Sequence, residues 1–395
     1  MTDRVLMRCR LCGTTRTPAA LHYCEECFGP LEVSVRPPVA GSVTLCHNDS
    51  LRRYGPWLPV SPSNGEALFP LALSPLHHAE RLGQAWGLRR LYLKDETQQP
   101  SGSFKDRLVS VALLQARLFG LDTVICASTG NLARSVAVLA PKLGITAHVL
   151  VPEDILAHSG FPAHSLIIAV RGTYDQANRL AIEVAEQRGW GVVNVTLHPF
   201  YAEGGKTLGH EIAEQLGTMP RHLVCCMAGG SLLGKIHQGL EEMVAFGLIA
   251  PGPIALHGAQ AFGCAPIVNA FHAGREEVFP VQKPQTRVYS LAVGDPGDGF
   301  FALRRIRATG GTAWAIPDDE AEAAALQCHQ LEGIATELAG GVTLAAGRRL
   351  AERGILLPEE PVVLVLTGRA HPTGVTTTPH AVIEPTRQAF GLLVP

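Results

Sequence analysis

Residues 100–107, PSGSFKDR, place a lysine where covalent chemistry is possible. Lys105 follows a Pro/Gly turn and lies near the start of a stretch with helical periodicity, residues 103–119. The N-terminus of a helix disfavours cations, so an unpaired lysine there is pushed toward its neutral amine. The neutral amine is the form that condenses with an aldehyde to a Schiff base. The alternative, from spacing alone, is a surface turn with a solvated lysine.

From Leu91 onward, short apolar runs alternate with helical patterns. The predicted strands cover residues 123–128, 146–152, 164–170, 191–195, 222–227, 254–260 and 361–367. The predicted helices cover residues 131–143, 175–188, 205–216, 232–246, 318–332 and 342–353. Continuous apolar strands between amphipathic helices indicate an α/β fold whose parallel sheet is covered on both faces.

Three loops lie at the carboxyl ends of such strands, where ligands bind in parallel sheets. In STGN, residues 128–131, hydroxyl side chains and N–H groups at a helix start suit a carboxylate, with a simple helix N-cap as the alternative. MAGGS, residues 227–231, leaves room for a phosphate at the next helix N-terminus and matches neither the P-loop nor the dinucleotide fingerprint. LTGRA, residues 366–370, places the hydroxyl of Thr367 at a strand end. Together with the amine, these loops suit a phosphorylated aldehyde cofactor and an amino acid.

Cys9, Cys12, Cys24 and Cys27 form two CxxC pairs near the N-terminus. Four thiolates in two pairs suit a tetrahedral zinc ion, and four protein ligands would make the site closed and structural. A redox role is the alternative, although neither pair opens a βαβ unit. We therefore expect an N-terminal zinc ribbon.

The composition is that of an ordinary soluble globular protein, with 395 residues, 46% hydrophobic, 17% charged and a net charge of -2. No basic field favours nucleic acid. No apolar run approaches the roughly 18 residues of a membrane span. Because no apolar signal segment opens the chain, we expect a cytoplasmic protein with reduced or metal-bound cysteines. Its expected partner is a small-molecule amino-acid substrate, with no nucleic acid and no membrane.

Five segments resemble, in order, the threonine synthases: KDETQQPSGSFKDR, CASTGNLARSVA, AEGGKTLGHEIAEQLG, GAQAFGCAPIV and VVLVLTG. More broadly, residues 73–368 resemble the fold-type II, or tryptophan synthase β-like, pyridoxal-phosphate enzymes. The resemblance implies a two-domain, three-layer parallel-sheet fold, pyridoxal 5'-phosphate as cofactor, and a homodimer. The ribbon before this body also looks like that of some threonine synthases and related cysteate synthases. The implied domains are a zinc ribbon at 1–34, a connecting segment at 35–74, a large cofactor-binding domain at 75–102 and 206–395, and a small domain at 103–205.

The resemblance also implies residue roles. Lys105 would be the catalytic residue, bound to the cofactor and removing the Cα proton of the substrate. The cofactor contacts would be Lys105, Phe104, Asn131 at the phenolic oxygen, Thr367 at the ring nitrogen, and Ala228, Gly229, Gly230, Ser231 and Leu232 around the phosphate. The substrate contacts would be Ser128, Thr129, Asn131, Ser103, Lys206 and Tyr201. A neutral hydroxyl, unlike a carboxylate, does not hold the ring nitrogen protonated, which favours elimination and replacement over transamination.

The sequence departs from the threonine synthase pattern where the substrate would bind. Tyr201 stands in place of an arginine taken to bind the substrate phosphate, and Gly205 and Leu132 replace a glutamine and a smaller residue. Without the arginine, phosphate binding weakens unless another cation substitutes. The residues that could substitute are Lys206, His198, Arg134 and Arg369.

The expected function is therefore elimination or replacement at an activated amino-acid side chain, either phosphohomoserine to threonine or a related specialised reaction. The alternatives are β-replacement on phosphoserine or acetylserine and dehydration of threonine or serine. A further alternative, from another class, is a non-catalytic binding protein with the same fold.

Overall fold

A computed structural model of the chain describes residues 4–21, 23–60, 71–128, 130–158, 161, 166–370 and 378–394. The chain forms two compact units. Unit 1 consists of Met1–Ala72, Lys105–Thr207 and His371–Pro395, and unit 2 of Leu73–Phe104 and Leu208–Ala370. The chain thus leaves unit 2 immediately before Lys105 and re-enters it immediately after Thr207.

Strands and helices alternate through most of the described residues. The strands are β1 (Val5–Cys9), β2 (Thr15–Arg16), β3 (Leu31–Val35), β4 (Leu76–His78), β5 (Leu91–Asp95), β6 (Thr123–Ala127), β7 (Thr146–Pro152), β8 (Ile167–Val170), β9 (Gly191–Val192), β10 (His222–Cys226), β11 (Ala255–Ala261), β12 (Ala313–Ile316), β13 (Val362–Leu366) and β14 (Ala381–Ile383). The helices are α1 (Ser50–Arg53), α2 (Glu80–Trp86), α3 (Lys105–Leu118), α4 (Asn131–Leu139), α5 (Tyr174–Arg188), α6 (His198–Glu203), α7 (Lys206–Leu216), α8 (Ser231–Phe246), α9 (Pro266–His272), α10 (Gly299–Ala308), α11 (Asp318–Glu332), α12 (Leu338–Glu352) and α13 (Arg387–Leu393). None of the helices among these residues is both long enough and apolar enough to cross a membrane.

Unit 1 contains, in its described part, an antiparallel sheet and a parallel sheet. The antiparallel sheet has the order β2–β1–β3, and alternate residues of β1 are buried. The parallel sheet has the order β14–β8–β7–β6–β9. Phe390 of α13 joins the core of this sheet and contacts the rings of Trp190 and His148 edge-on.

Unit 2 is built on a sheet with the order β12–β11–β10–β13–β5–β4. All its pairings are parallel except that of β4 with β5. Every residue of β10 and β13 is buried. Such complete burial is expected for apolar strands in a sheet that is covered on both faces. The parallel α/β fold is therefore confirmed.

Some boundaries differ from the sequence prediction. The helix predicted over 131–143 ends at Leu139, and a separate helical turn begins at Pro141, which has no N–H to continue α4. The strand predicted over 164–170 begins at Ile167; Leu166 is described and lies outside the strand, and 164–165 lie outside the described residues. The six-residue α6 and the three-residue β14 are too short to show a period in sequence.

Two glycines inside helices of unit 2 have very different surroundings. A Cβ on Gly209 of α7 would lie 2.1 Å from the carbonyl oxygen of Ile236 in α8. For Gly234 of α8, the nearest atom to a Cβ would be Cδ of Arg305, at an ordinary 3.5 Å. Backbone therefore packs against backbone at Gly209 but not at Gly234.

We predict opposite effects of alanine at these two positions. Gly209→Ala should lower the free energy of unfolding by about 1–3 kcal/mol, because α7 and α8 must move apart. Gly234→Ala should raise it by about 0.5–1 kcal/mol, because alanine loses less backbone entropy in a helix than glycine. Urea unfolding of the cofactor-free variants, followed by circular dichroism, measures both. Changes of the same sign would contradict the close approach at Gly209.

Candidate active site

Lys105 is the first residue of α3, in unit 1, and its side chain is half-buried. Its Nζ donates a 2.8 Å hydrogen bond to Oη of Tyr201. Tyr201 lies on α6, is 5% exposed, and has its ring centroid 5.9 Å from that of His198. The lysine predicted to be reactive thus lies against a buried phenol, and the sequence analysis did not foresee this contact.

Two fully buried charged residues follow Lys105 in the first turn of α3. Asp106 accepts a 2.6 Å hydrogen bond from Oγ of Ser135 on α4. Arg107 donates to Oγ of Ser50 and Oγ1 of Thr207, both at 3.0 Å. Buried charges that are hydrogen-bonded in this way hold the surrounding backbone in place. The contacts connect residues far apart in sequence, so no local pattern predicts them.

Lys206 forms an ion pair inside unit 1. Its Nζ lies 2.8 Å from Oε2 of Glu203 and donates to the carbonyl oxygen of Trp57, also at 2.8 Å. The two charged side chains are 1% and 0% exposed. The ammonium therefore already has two acceptors here, and its contact with a substrate stays a prediction.

The STGN turn connects β6 to α4 in unit 1. The N–H of Gly130 donates to Oγ of Ser128 at 3.3 Å, and Oδ1 of Asn131 accepts a 2.9 Å bond from Arg134. Thr129 lies outside the described residues. Gly130 has no side chain that could cap the N-terminus of α4. The N–H groups of the first turn are therefore suited to bind an anion such as a carboxylate.

The thiol of Cys126 lies within β6, next to this turn in sequence. Burial raises the pKa of Cys126 to about 12. A thiol of this kind stays protonated near neutral pH and is a poor nucleophile. Cys126 is therefore a core residue rather than a second reactive group.

The glycine loop between β10 and α8 belongs to unit 2. Gly230 has φ +93°, and a Cβ there would lie 3.0 Å from Cβ of Ala302 and 3.1 Å from the carbonyl oxygen of Asp298. Gly229, by contrast, has open space where a Cβ would be. Gly230 also gives the 16-residue α8 no side-chain cap. The loop therefore fits a phosphate in contact with the N–H groups around Ser231; Ala228 and Leu232, at its two sides, are half-buried.

Thr367, at the end of β13 in unit 2, is 2% exposed. Its hydroxyl donates to Oε1 of Glu337 at 3.3 Å and lies 3.6 Å from Sγ of Cys226. The N–H of Glu337 donates to the carbonyl oxygen of Gly368 at 2.9 Å, which fixes this carboxyl group beside the loop. Neither Glu337 nor Cys226 was among the predicted site residues.

Ser103 and Phe104 run beside the same loop in unit 2. Ser103 forms an antiparallel bridge with Gly368, and the N–H of Phe104 donates to the carbonyl oxygen of Thr367 at 3.0 Å. Oγ of Ser103 is fully buried and has no hydrogen-bond partner among the described residues. A buried hydroxyl without a partner costs about 1–3 kcal/mol, so this one is suited to a bound polar group.

The four cysteines of the N-terminal sheet converge. Their sulfur atoms all lie within 4.8 Å of one another, with 3.5 Å between those of Cys9 and Cys27 and 3.7 Å between those of Cys12 and Cys24. Zinc–sulfur bonds of about 2.3 Å in a tetrahedron place the sulfurs about 3.8 Å apart. The observed sulfur spacing therefore fits one tetrahedrally bound zinc ion.

Comparison with known proteins connects these features to a family. Residues 69–368 match the family model described as pyridoxal-phosphate dependent enzyme. A threonine synthase of Methanosarcina acetivorans is 32% identical over 378 residues, which cover 92% of this chain and 91% of that protein. A threonine synthase of Methanocaldococcus jannaschii is 31% identical and covers 92% of each chain.

Solved structures share the fold at lower identity. The processed form of threonine deaminase isoform 2 from Solanum lycopersicum has a TM-score of 0.64 at 23% identity, covering 76% of this chain and 80% of that one. A fungal L-serine ammonia-lyase from Rhizomucor miehei also has a TM-score of 0.64 at 23% identity, covering 76% and 94%. The expected fold-type II architecture is thus confirmed.

Three local geometries agree with the chemistry of pyridoxal phosphate. In unit 1 an amine lies at a helix start, in unit 2 an uncapped helix N-terminus suits a phosphate, and buried hydroxyls of unit 2 suit a polar ring atom. Together with the sequence matches, they show that the chain belongs to the family of pyridoxal-phosphate-dependent enzymes that contains the threonine synthases.

Proposed function

We propose that this chain is a pyridoxal-phosphate-dependent lyase of the threonine synthase type, which forms threonine from phosphohomoserine. The match to threonine synthases along 92% of the chain carries this proposal. The wider reaction class is elimination or replacement at Cβ or Cγ of an amino acid with an activated side chain. Among the described residues, Lys105 has the position at a helix start that this chemistry requires.

In this proposal each motif has one role. Lys105 binds the cofactor aldehyde and, once released, takes the Cα proton of the substrate at Nζ. The STGN turn holds the substrate carboxylate, and Asn131 also faces the cofactor. The remaining cofactor contacts are Phe104, Ala228, Gly229, Gly230, Ser231, Leu232 and Thr367, and the remaining substrate contacts are Ser103, Thr129, Lys206 and Tyr201. Bound pyridoxal phosphate supplies the electron sink that makes the Cα proton acidic.

A second candidate is β-elimination or β-replacement on serine, threonine, acetylserine or phosphoserine. One observation favours it. The phenol of Tyr201 lies in contact with Lys105, while the ammonium of Lys206 is already paired with Glu203. A neutral phenol binds a phosphate dianion less strongly than a cation does, so a substrate without a phosphate suits this contact.

Replacing Lys105 tests the cofactor attachment. Lys105→Ala should abolish the visible absorbance of lysine-bound pyridoxal phosphate and lower turnover by at least about 10³-fold, because covalent attachment and proton removal are both lost. Absorbance spectra and steady-state assays of reconstituted protein measure the two effects. Lys142→Ala changes an exposed lysine and should keep the absorbance. A wild-type protein that stays colourless with added cofactor would contradict the proposal.

A substrate comparison separates the two candidates. We expect phosphohomoserine to give threonine and phosphate with a kcat/KM at least about tenfold above those for phosphoserine, acetylserine, serine and threonine. A tenfold difference corresponds to about 1.4 kcal/mol in transition-state binding. Product analysis and phosphate release provide the measurement. A reversed order of kcat/KM would support the second candidate instead, and cofactor binding without turnover of any amino acid would support a non-catalytic binding protein.

We also propose that Cys9, Cys12, Cys24 and Cys27 bind one structural zinc ion. The spacing of their sulfur atoms supports this proposal. With four protein ligands, no coordination position is left for a substrate, so the ion would stabilise the N-terminal sheet rather than take part in catalysis.

Metal analysis tests the zinc site. The purified chain should contain about one zinc per molecule, and Cys9→Ser should lose most of it and unfold at a lower temperature, because structural zinc contributes directly to folding. Cys46→Ser removes an exposed cysteine outside the cluster and should leave the zinc content unchanged. Equal zinc contents in both variants would be evidence against this ligand set.

We further propose a cytoplasmic homodimer. The cysteines among the described residues are free thiols rather than disulfides, which agrees with a reducing compartment. The proposal of a homodimer rests on the resemblance to the family.

A further inference from the structure

In the hydrogen bond between Lys105 and Tyr201 the phenol is the acceptor, so its own proton is not used in that bond. A phenol can both donate and accept. Oη of Tyr201 accepts from Nζ of Lys105 at 2.8 Å, and no described residue accepts the proton of the phenol itself. Because Tyr201 is only 5% exposed, solvent does not readily satisfy this donor. An oxygen atom of a bound substrate would accept the phenol proton in a hydrogen bond.

The phenol is held at a fixed position relative to α3. Its ring stacks on that of His198, with 5.9 Å between centroids. Immediately after α6, a Cβ on Gly204 would lie 2.2 Å from the carbonyl oxygen of Arg107, in the first turn of α3. The backbone at the end of α6 therefore contacts the backbone of α3 directly. This contact maintains the distance between the amine and the phenol.

We propose that Tyr201 is a second catalytic residue, which relays a proton from Lys105 to the leaving oxygen of the substrate. The proposal rests on the second candidate under the proposed function, β-elimination, which supplies the cofactor and an amino acid with an oxygen substituent at Cβ. It extends that function by assigning the general acid for the leaving group.

The proton balance of the relay is complete. Nζ of Lys105 takes the Cα proton, and the electron pair of that C–H bond forms the Cα–Cβ double bond. The Cβ–O bond breaks, and its electron pair stays on the leaving oxygen. Oη of Tyr201 gives its proton to that oxygen and receives one from Nζ. The leaving group departs as a neutral alcohol or water, and both side chains return to their starting states.

The relay predicts a dependence on the leaving group. A hydroxyl must be protonated as it leaves, so its departure needs a general acid, which contributes about 10²–10⁴-fold in typical enzymes. Chloride leaves as the anion and needs no proton. The substrate class that depends on Tyr201 is therefore an amino acid whose leaving oxygen is a poor anion.

Tyr201→Phe, which removes only the hydroxyl, tests the relay in the holoenzyme. With serine, the rate of pyruvate formation should fall at least about 100-fold, whereas with β-chloroalanine it should change by less than about threefold. Tyr289→Phe, at an exposed tyrosine of unit 2 that has no role in the proposal, should leave both rates unchanged. A similar loss with both substrates in Tyr201→Phe would overturn the relay and leave the residue a structural role.

A second measurement needs no turnover. In cofactor-free protein, the rate at which trinitrobenzenesulfonate labels Lys105, followed by peptide mass spectrometry, should rise about fivefold in Tyr201→Phe, because the amine is no longer held by the hydrogen bond to the phenol. The labelling rate should not change in Tyr289→Phe. An unchanged rate in Tyr201→Phe would refute the hydrogen bond on which the relay depends.

An experiment with the free amino acid alanine as a substrate analogue distinguishes a failure of the relay from a failure of the proposed function. Alanine has a Cα proton but no leaving group, so holoenzyme in D₂O should exchange this proton in wild type and in Tyr201→Phe, and not in Lys105→Ala. Exchange in both proteins, together with equal losses on serine and β-chloroalanine, would reject the relay alone. A wild type that neither exchanges alanine nor acts on phosphohomoserine, serine or β-chloroalanine would reject the proposed function and the relay with it.

Discussion

The burial of two charges at the start of α3 is the constraint on which the candidate site in unit 1 depends. Asp106 and Arg107 are fully buried, and a buried charge without hydrogen-bond partners would cost several kcal/mol. Hydroxyl groups from three other segments supply partners, those of Ser50, Ser135 and Thr207. Any displacement of the first turn of α3 would break these bonds. The lysine at that turn is therefore attached to a rigid segment, which the role proposed for it requires.

In unit 2 the two loops of the candidate site are held in place by backbone conformation and backbone hydrogen bonds rather than by buried charges. The glycine loop depends on Gly230, whose left-handed conformation and close neighbours exclude a larger residue. The Thr367 loop is held by hydrogen bonds from the N–H of Glu337 and the hydroxyl of Thr336 to one carbonyl oxygen, that of Gly368. Both loops follow fully buried strands, so their positions are set by the sheet itself.

Sequence reasoning recovered those features that local patterns encode. Apolar runs predicted the buried parallel strands, and the paired CxxC spacing predicted four sulfur atoms that the structure brings together. The contact between Lys105 and Tyr201 joins residues 96 positions apart, and that between Thr367 and Glu337 spans 30 positions. Such contacts depend on how elements pack, and no periodicity or spacing carries that information. The sequence also predicted a substrate role for Lys206, whereas its buried partner Glu203 became visible only in the structure.

The pairing of β14 with β8 has a consequence for how the protein is made. The edge of the parallel sheet in unit 1 is completed by a strand that follows the whole of unit 2 in the chain. While a ribosome synthesises unit 2, β8 exposes unpaired backbone groups and an apolar segment, Ile-Ile-Ala-Val, along that edge. Unpaired edges of this kind readily bind other extended chains. We therefore expect the growing chain to be prone to aggregation until β14 pairs with β8 and Phe390 joins the core of this sheet.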